Sequence, residues 1–157
     1  TDMKVGFVWV GKTKNKMMNE LIDDYLSRIG KFAAVETVTL RSWTAAGNSA
    51  KAHIDKEGAD ILAKTAGDPF VVLLSERGKQ LDSRQFAGLI ESRRLAGEKK
   101  MTFVIGGHEG VSHAVEQRAN VLLGLGKMTF THDMARLLLA EQVYRAFTII
   151  NNLPYQR

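Results

Sequence analysis

The chain has 157 residues, with 22 Lys+Arg against 17 Asp+Glu, no Cys and a formal net charge of +5. That length holds one domain with a sizeable core, and 45% hydrophobic with 25% charged residues excludes a disordered, collagen-like or disulfide-scaffold chain. The missing cysteines also exclude a thiolate nucleophile, Cys-ligated zinc and iron–sulfur chemistry, while the basic excess permits a polyanionic partner without demonstrating one.

No apolar run approaches the ~20 residues of a membrane-spanning helix. The start, Thr1-Asp2-Met3-Lys4, lacks the basic-then-apolar pattern of a leader. A cytoplasmic enzyme or binding protein with no membrane partner is the expectation, residues 1–2 being additions ahead of Met3.

Val5 to Val10 is β-rich and stops at Gly11. From Lys14 to Ile29 the residues Met18, Leu21, Ile22, Tyr25 and Ile29 recur on one helical face. Val35 to Leu40 alternates like a half-buried strand, Arg41 to Ser49 has loop composition, and Ala50 to Thr65 is a weaker helix with Ile54, Ile61 and Leu62 on one side. Phe70 to Leu74 is apolar on both faces, as in a sheet covered by helices on both sides. Asp82 followed by Gln85 is a capping box opening a helix to about Ala96, with Phe86, Leu89 and Ile90 inward. A strand from Met101 to Ile105, a short helix from Ser112 to Ala119, a short strand from Val121 to Leu123 and a long helix from Asp133 to Asn151 complete the pattern. Five strand-then-helix units predict a single α/β domain with a mostly parallel sheet flanked by helices.

Gly6 to Thr13 satisfies the phosphate-loop string G-x-x-x-x-G-K-[ST]. In a phosphate-binding loop those four residues curl around the ligand after a strand. Here they are Phe7, Val8, Trp9 and Val10, stiff residues that form the strand itself, so a nucleotide hydrolase of this type is rejected. Lys12 and Lys14 are left near a helix start, free to face a polyanion.

Ligands of open α/β sheets bind beyond the carboxyl ends of the strands. Three segments fall there: Leu74 to Lys79, Ile105 to Gly110 and Leu123 to Phe130. Gly106, Gly107 and Gly110 either bring the backbone close to a ligand or simply turn the chain into the next helix. No G-x-G-x-x-G follows the first strand, so a Rossmann site is unsupported. The third segment suits an adenine held by main-chain groups better than a triphosphate. In the last helix Arg136 extends the apolar stripe of Ala140, Val143, Tyr144, Phe147 and Ile150. A guanidinium there is either paired within the fold or faces a site or subunit interface. Glu141 and Arg145 have the spacing of a helix ion pair. His53, His108, His113 and His132 show no metal-ligand spacing, and most should be exposed; only His108 and His132 fall in the candidate loops. No G-x-S-x-G elbow supports a serine hydrolase.

The segments Phe103-Val-Ile-Gly-Gly-His-Glu-Gly110, Lys127-Met-Thr-Phe130, Ala135 to Phe147 and Pro154-Tyr155, with Val10-Gly11-Lys12 and Lys56-Glu57-Gly58, resemble the ribosomal RNA large subunit methyltransferase H family of the SPOUT methyltransferases. The resemblance runs over nearly the whole chain from Met3. It implies a SPOUT domain over residues 3–157, with a C-terminal trefoil knot that binds cofactor in roughly 70–157. It further implies an obligate homodimer and transfer of a methyl group from S-adenosylmethionine to N3 of a pseudouridine in large-subunit ribosomal RNA, in the assembled ribosome. Carried over by position, the cofactor contacts fall on Leu74, Gly106, Leu125, Gly126, Lys127, Met128, Thr129 and Phe130. Arg136 and Tyr155 become candidate catalytic residues, and His108, His132, Tyr144, Arg145 and Arg157 candidate substrate contacts; no metal is implied. Lys12, Lys14, Arg93, Arg94 and Arg157 are candidates for a shared basic surface. The family ends Pro-Tyr-His, whereas this chain ends Pro154-Tyr155-Gln156-Arg157. Gln156 cannot be a general base, which leaves two readings: a His unneeded for the chemistry, or a ribosome-binding homologue with altered activity. Thr131 in place of a usual Pro and the residue at His108 are smaller departures.

Overall fold

Three long strands that are apolar on both faces need cover on both sides, and the chain supplies it with alternating helices. The computed structural model of the chain describes residues 2–44 and 49–156. In chain order the elements are β1 (Lys4–Val10), α1 (Lys16–Ile29), β2 (Val35–Leu40), α2 (Ala50–Thr65), β3 (Phe70–Gln80), α3 (Ser83–Leu95), β4 (Lys100–Ile105), α4 (His113–Arg118), β5 (Val121–Gly124) and α5 (His132–Ile150). A 3-10 turn over Pro154–Gln156 follows. The strands form one sheet in the order β2-β1-β4-β3-β5, and every ladder is parallel.

The strand period of two divides the core between the faces. Val5, Phe7 and Trp9 of β1, Phe70 and Val72 of β3, and Met101, Phe103 and Ile105 of β4 pack with residues of α1, α3 and α5. Val8, Val10, Val71, Leu73 and Val104 point the other way, toward Ile61 of α2 and Val115 of α4. Burying a large apolar side chain of this kind contributes ~1.5–3 kcal/mol. β2 lies at the sheet edge, which is why its sequence alternates instead of being apolar throughout.

Each α-helix opens on a side-chain cap: Asn15, Ser49, Asp82, Ser112 and Thr131 accept the N–H three residues on, an interaction worth about 1 kcal/mol. Asp82 and Gln85 complete the reciprocal capping box anticipated from their spacing. The phosphate-loop string is excluded structurally, since Gly6 to Val10 are ladder residues between β2 and β4.

The largest departure from the sequence reading is β3. The segment expected as a loop, Leu74 to Lys79, continues as strand to Gln80. Leu123 of β5 pairs first with Leu74 and again, after a register jump, with Lys79. The second pairing needs Gly78, where a Cβ would lie 2.6 Å from the Gly124 nitrogen and as close to neighbouring main-chain carbons. Backbone lies directly on backbone there. Of the four histidines expected to be mostly exposed, His53 is buried and His132 half-buried. Arg157, and part of the Arg41 to Ser49 loop, lie outside the described residues, as does Thr1.

Two alanine substitutions should therefore diverge in chemical denaturation. Gly78→Ala overpacks main chain and should cost about 3 kcal/mol. Gly88→Ala, on the exposed face of α3 with nothing within 4 Å of a new Cβ, should add about 0.5–1 kcal/mol.

Candidate functional site

Beside the middle of β3 and at the carboxyl ends of β4 and β5 lies a cleft of about 580 Å³. Leu74, Gly106, Leu125, Gly126, Met128, Thr129 and Phe130 line it, together with His108 and His132. All but one of the positions nominated for cofactor contact thus meet in one cavity. The exception is Lys127, which lies between two lining residues and is exposed. Ile105 and Leu123 extend the apolar part of the wall, while Glu76 and Glu116 bring carboxylates into it. Glu116 is ion-paired to Arg77.

The middle segment is a tight turn, the Gly110 N–H donating to the Gly107 carbonyl at 3.0 Å. α2 supports this turn from behind. His53 Nδ1 meets Glu109 Oε2 at 3.0 Å, and Glu57, 2% exposed, presses its Oε1 where a Cβ of Gly107 would stand. Gly107 is therefore glycine because a buried carboxylate occupies its side-chain space. His53 and Glu57 are functional-site residues that helical periodicity of apolar residues overlooks. The signal was a polar version of the same stripe, His53, Glu57, Ile61 and Thr65 at successive fourth positions.

The other wall is the start of α5, where Asp133 and Arg136 hold the β1–α1 connection. Asp133 accepts the main-chain N–H groups of Lys14 and Asn15, the latter at 2.8 Å. Arg136 is 2% exposed and donates to the Val10 carbonyl at 2.8 Å and Thr13 Oγ1 at 3.0 Å. Its guanidinium carbon lies 5.6 Å from the Trp9 ring centre, and its Nε is a buried donor without a partner. The guanidinium faces the strand end rather than the cleft lining, and burial lowers its pKa. His132, one turn earlier, has its pKa lowered by burial first, then by the Arg136 charge and His108. The rings of His108 and His132 meet edge-on with centres 6.4 Å apart.

Tyr144, Arg145 and Tyr155 are gathered elsewhere, half-buried beside α1. Tyr155 donates its hydroxyl to Glu141 Oε2 at 2.8 Å, and Arg145 holds the same carboxylate at 2.7 Å. Tyr25 Oη lies 3.4 Å from Tyr155 Oη, and Tyr144 packs edge-on against the Tyr155 ring. Burial, Tyr25 and Glu141 together raise the Tyr155 pKa well above that of a free phenol, so this hydroxyl stays protonated and acts as a donor. Glu141 thus does more than make a helix pair; it anchors the chain's last turn. Among the described residues no cluster of His, Asp or Glu fits a metal ion, and no helix is long and apolar enough to cross a membrane.

The His132 shift has a thermodynamic signature. Its folded-state pKa lies below the unfolded value near 6.5, so between the two the unfolded chain binds the extra proton. Stability is complete above pH 6.5 and falls as pH drops through that window. Melting curves between pH 5 and 8 should show this slope, and His132→Asn should flatten it.

Residues 3–156 match the family model described as Predicted SPOUT methyltransferase. A protein of Streptococcus thermophilus named Ribosomal RNA large subunit methyltransferase H is 42% identical, covering 99% of this chain and all of its own. One of the same name from Carboxydothermus hydrogenoformans is 40% identical with the same coverage. Among solved structures, a probable methyltransferase from Bordetella pertussis superposes with a TM-score of 0.58 at 14% identity, covering 92% of this chain and 94% of its own. That likeness speaks for the fold, and the sequence matches speak for the lineage: the chain belongs to the SPOUT methyltransferase family.

Proposed function

We propose that this protein transfers a methyl group from S-adenosylmethionine to N3 of a pseudouridine in large-subunit ribosomal RNA, acting on the assembled ribosome as a homodimer. The observation that carries this reading is the meeting of three separate segments in one cleft, in a chain whose full-length relatives are named for large-subunit ribosomal RNA methylation. The lining fits such a ligand. Leu74, Ile105, Leu123, Leu125 and Phe130 offer apolar surface to a flat base, and Gly126, with nothing within 4 Å of a Cβ placed on it, leaves main chain open to the ligand. Glu76 suits a cationic ligand, Glu116 being already paired with Arg77.

Bound there, S-adenosylmethionine supplies a methyl group on a positively charged sulfur. The reaction forms the N3–methyl bond, breaks the sulfur–methyl bond and releases the imide proton, with no covalent enzyme intermediate. The chain's own residues have two tasks. Arg136, a buried cation without a carboxylate partner among the described residues, favours negative charge developing on the deprotonated base through its field. Tyr155, whose proton goes to Glu141, offers its hydroxyl oxygen to a substrate donor, with Tyr144 and Arg145 positioning it; His108 and His132 contact substrate at the cleft. Arg157 belongs to the same proposed substrate set.

The homodimer is supported by apolar side chains left exposed around these features. Met128 is 80% exposed at the cleft rim, and Phe130, Leu153, Met17 and Leu21 are exposed as well. A trefoil knot belongs to the same reading, supported by the double pairing of β3 with β5 and the close passage at Gly78. The competing reading, a ribosome-binding homologue with altered activity, rests on Gln156.

Incubation with methyl-labelled S-adenosylmethionine and assembled ribosomes lacking the modification should place label on pseudouridine N3. Tight ribosome binding with no label would favour the competing reading, and recovery of transfer in Gln156→His would assign the cause. In calorimetry Gly107→Val, which drives a side chain into Glu57, should weaken cofactor binding about tenfold or more, the scale of ~1–3 kcal/mol typical of overpacking.

A further inference from the structure

The cations first nominated for a basic surface are partly engaged within the chain: Arg93 lies 3.8 Å from Glu98 and Arg94 pairs with Glu91. A different pair converges on one indole. The Arg41 guanidinium stacks 4.0 Å from the Trp43 ring centre, and Lys56 Nζ lies 4.9 Å from it. Both cations are exposed, and neither has a carboxylate or hydrogen-bond partner among the described residues. The ring itself cannot drift. Trp43 Nε1 donates to Asp60 Oδ2 at 2.9 Å and its main-chain N–H to Glu57 Oε2 at 2.8 Å.

Two unpaired charges are thus held in fixed positions by an aromatic surface, which keeps their donors available while reducing the entropy lost on binding an anion. The platform follows the carboxyl end of β2, on the rim that carries the cleft. One side chain connects them: Glu57 takes the Trp43 N–H on Oε2, and its Oε1, buried without a hydrogen-bond partner, abuts the cleft-lining Gly107. We infer that Arg41, Trp43 and Lys56 form a docking platform for the sugar–phosphate backbone of the RNA substrate, flanking the methyl-transfer cleft. This rests on the RNA-methyltransferase reading and adds to it a second contact region, which positions the RNA without reading its sequence.

The experiment compares the intact protein with Arg41→Gln/Lys56→Gln and with the charge-conserving Arg41→Lys/Lys56→Arg, using assembled ribosomes lacking the modification as the probe. Co-sedimentation and methyl transfer are measured across 50–200 mM salt, with S-adenosylmethionine affinity followed by calorimetry. The Gln variant should bind ribosomes at least about fivefold more weakly, with a salt slope shallower by about 1.5, as expected for two lost phosphate contacts. Its KM for ribosomes should rise while kcat and cofactor affinity stay within about twofold, and the charge-conserving variant should recover most of the binding. Unchanged ribosome affinity and salt slope in the Gln variant, with an active parent, would overturn the platform and leave the methyltransferase reading standing. A parent protein that neither binds nor methylates ribosomes would overturn both.

Discussion

The grip of α5 on the β1–α1 connection is the contact on which the other parts of the site depend. Asp133 and Arg136, three residues apart, reach a segment more than a hundred residues earlier and bind it with opposite polarity: the carboxylate takes main-chain N–H groups, the guanidinium gives to a main-chain carbonyl. Unsatisfied groups at a strand's end and a helix's start are thereby neutralised together. Because His132 and Ala135 line the cleft from the same helical turn, the grip also fixes the cleft's wall. The arrangement is costly in one respect. Arg136 retains its charge in a buried place where it has hydrogen bonds and the Trp9 face but no counter-ion. A site that must favour an anion gains from such a cation, whose field is only partly offset by the nearby Asp133 carboxylate and is weakly screened by solvent.

The opposite wall follows the same logic with different materials. The Gly107–Gly110 turn has no apolar side chain with which to pack, so α2 supports it through Glu57 at Gly107 and His53 at Glu109. The helix that supports the turn also carries Trp43 on Glu57 and Asp60. Supports for the cofactor wall and for the adjoining surface are therefore the same residues, so a change in α2 is felt on both.

Much of this was legible in the sequence because the responsible signals are local. The start of α3 was marked by Asp82 with Gln85, and the strands by stretches such as Phe70 to Leu74 that read as buried on two sides. Two of the three cleft-lining segments, Ile105 to Gly110 and Leu123 to Phe130, followed from strand ends alone. What was hidden is long-range. Nothing in Ser75 to Lys79 announces a strand, because its partner is β5, more than forty residues later, and Gly78 reads as turn punctuation until its neighbour is known. Arg136 was recognisable as an anomaly, but Thr13 and Val10 as its partners were not. The buried polar stripe of α2 escaped because periodicity is sought in apolar residues.

The sheet order carries a consequence for how the chain reaches this state. β4 lies between β1 and β3, so β1, whose residues after Lys4 are all buried, obtains its second neighbour only when residues 100–105 arrive, as in the register Lys4↔Lys100. A chain emerging from its amino terminus must therefore carry one of its most hydrophobic strands half-covered, paired with β2 alone, until two-thirds of its length is made. Non-local parallel pairing of this kind slows folding and prolongs exposure to aggregation. The five-stranded order that builds the cleft is also what makes the nascent chain vulnerable.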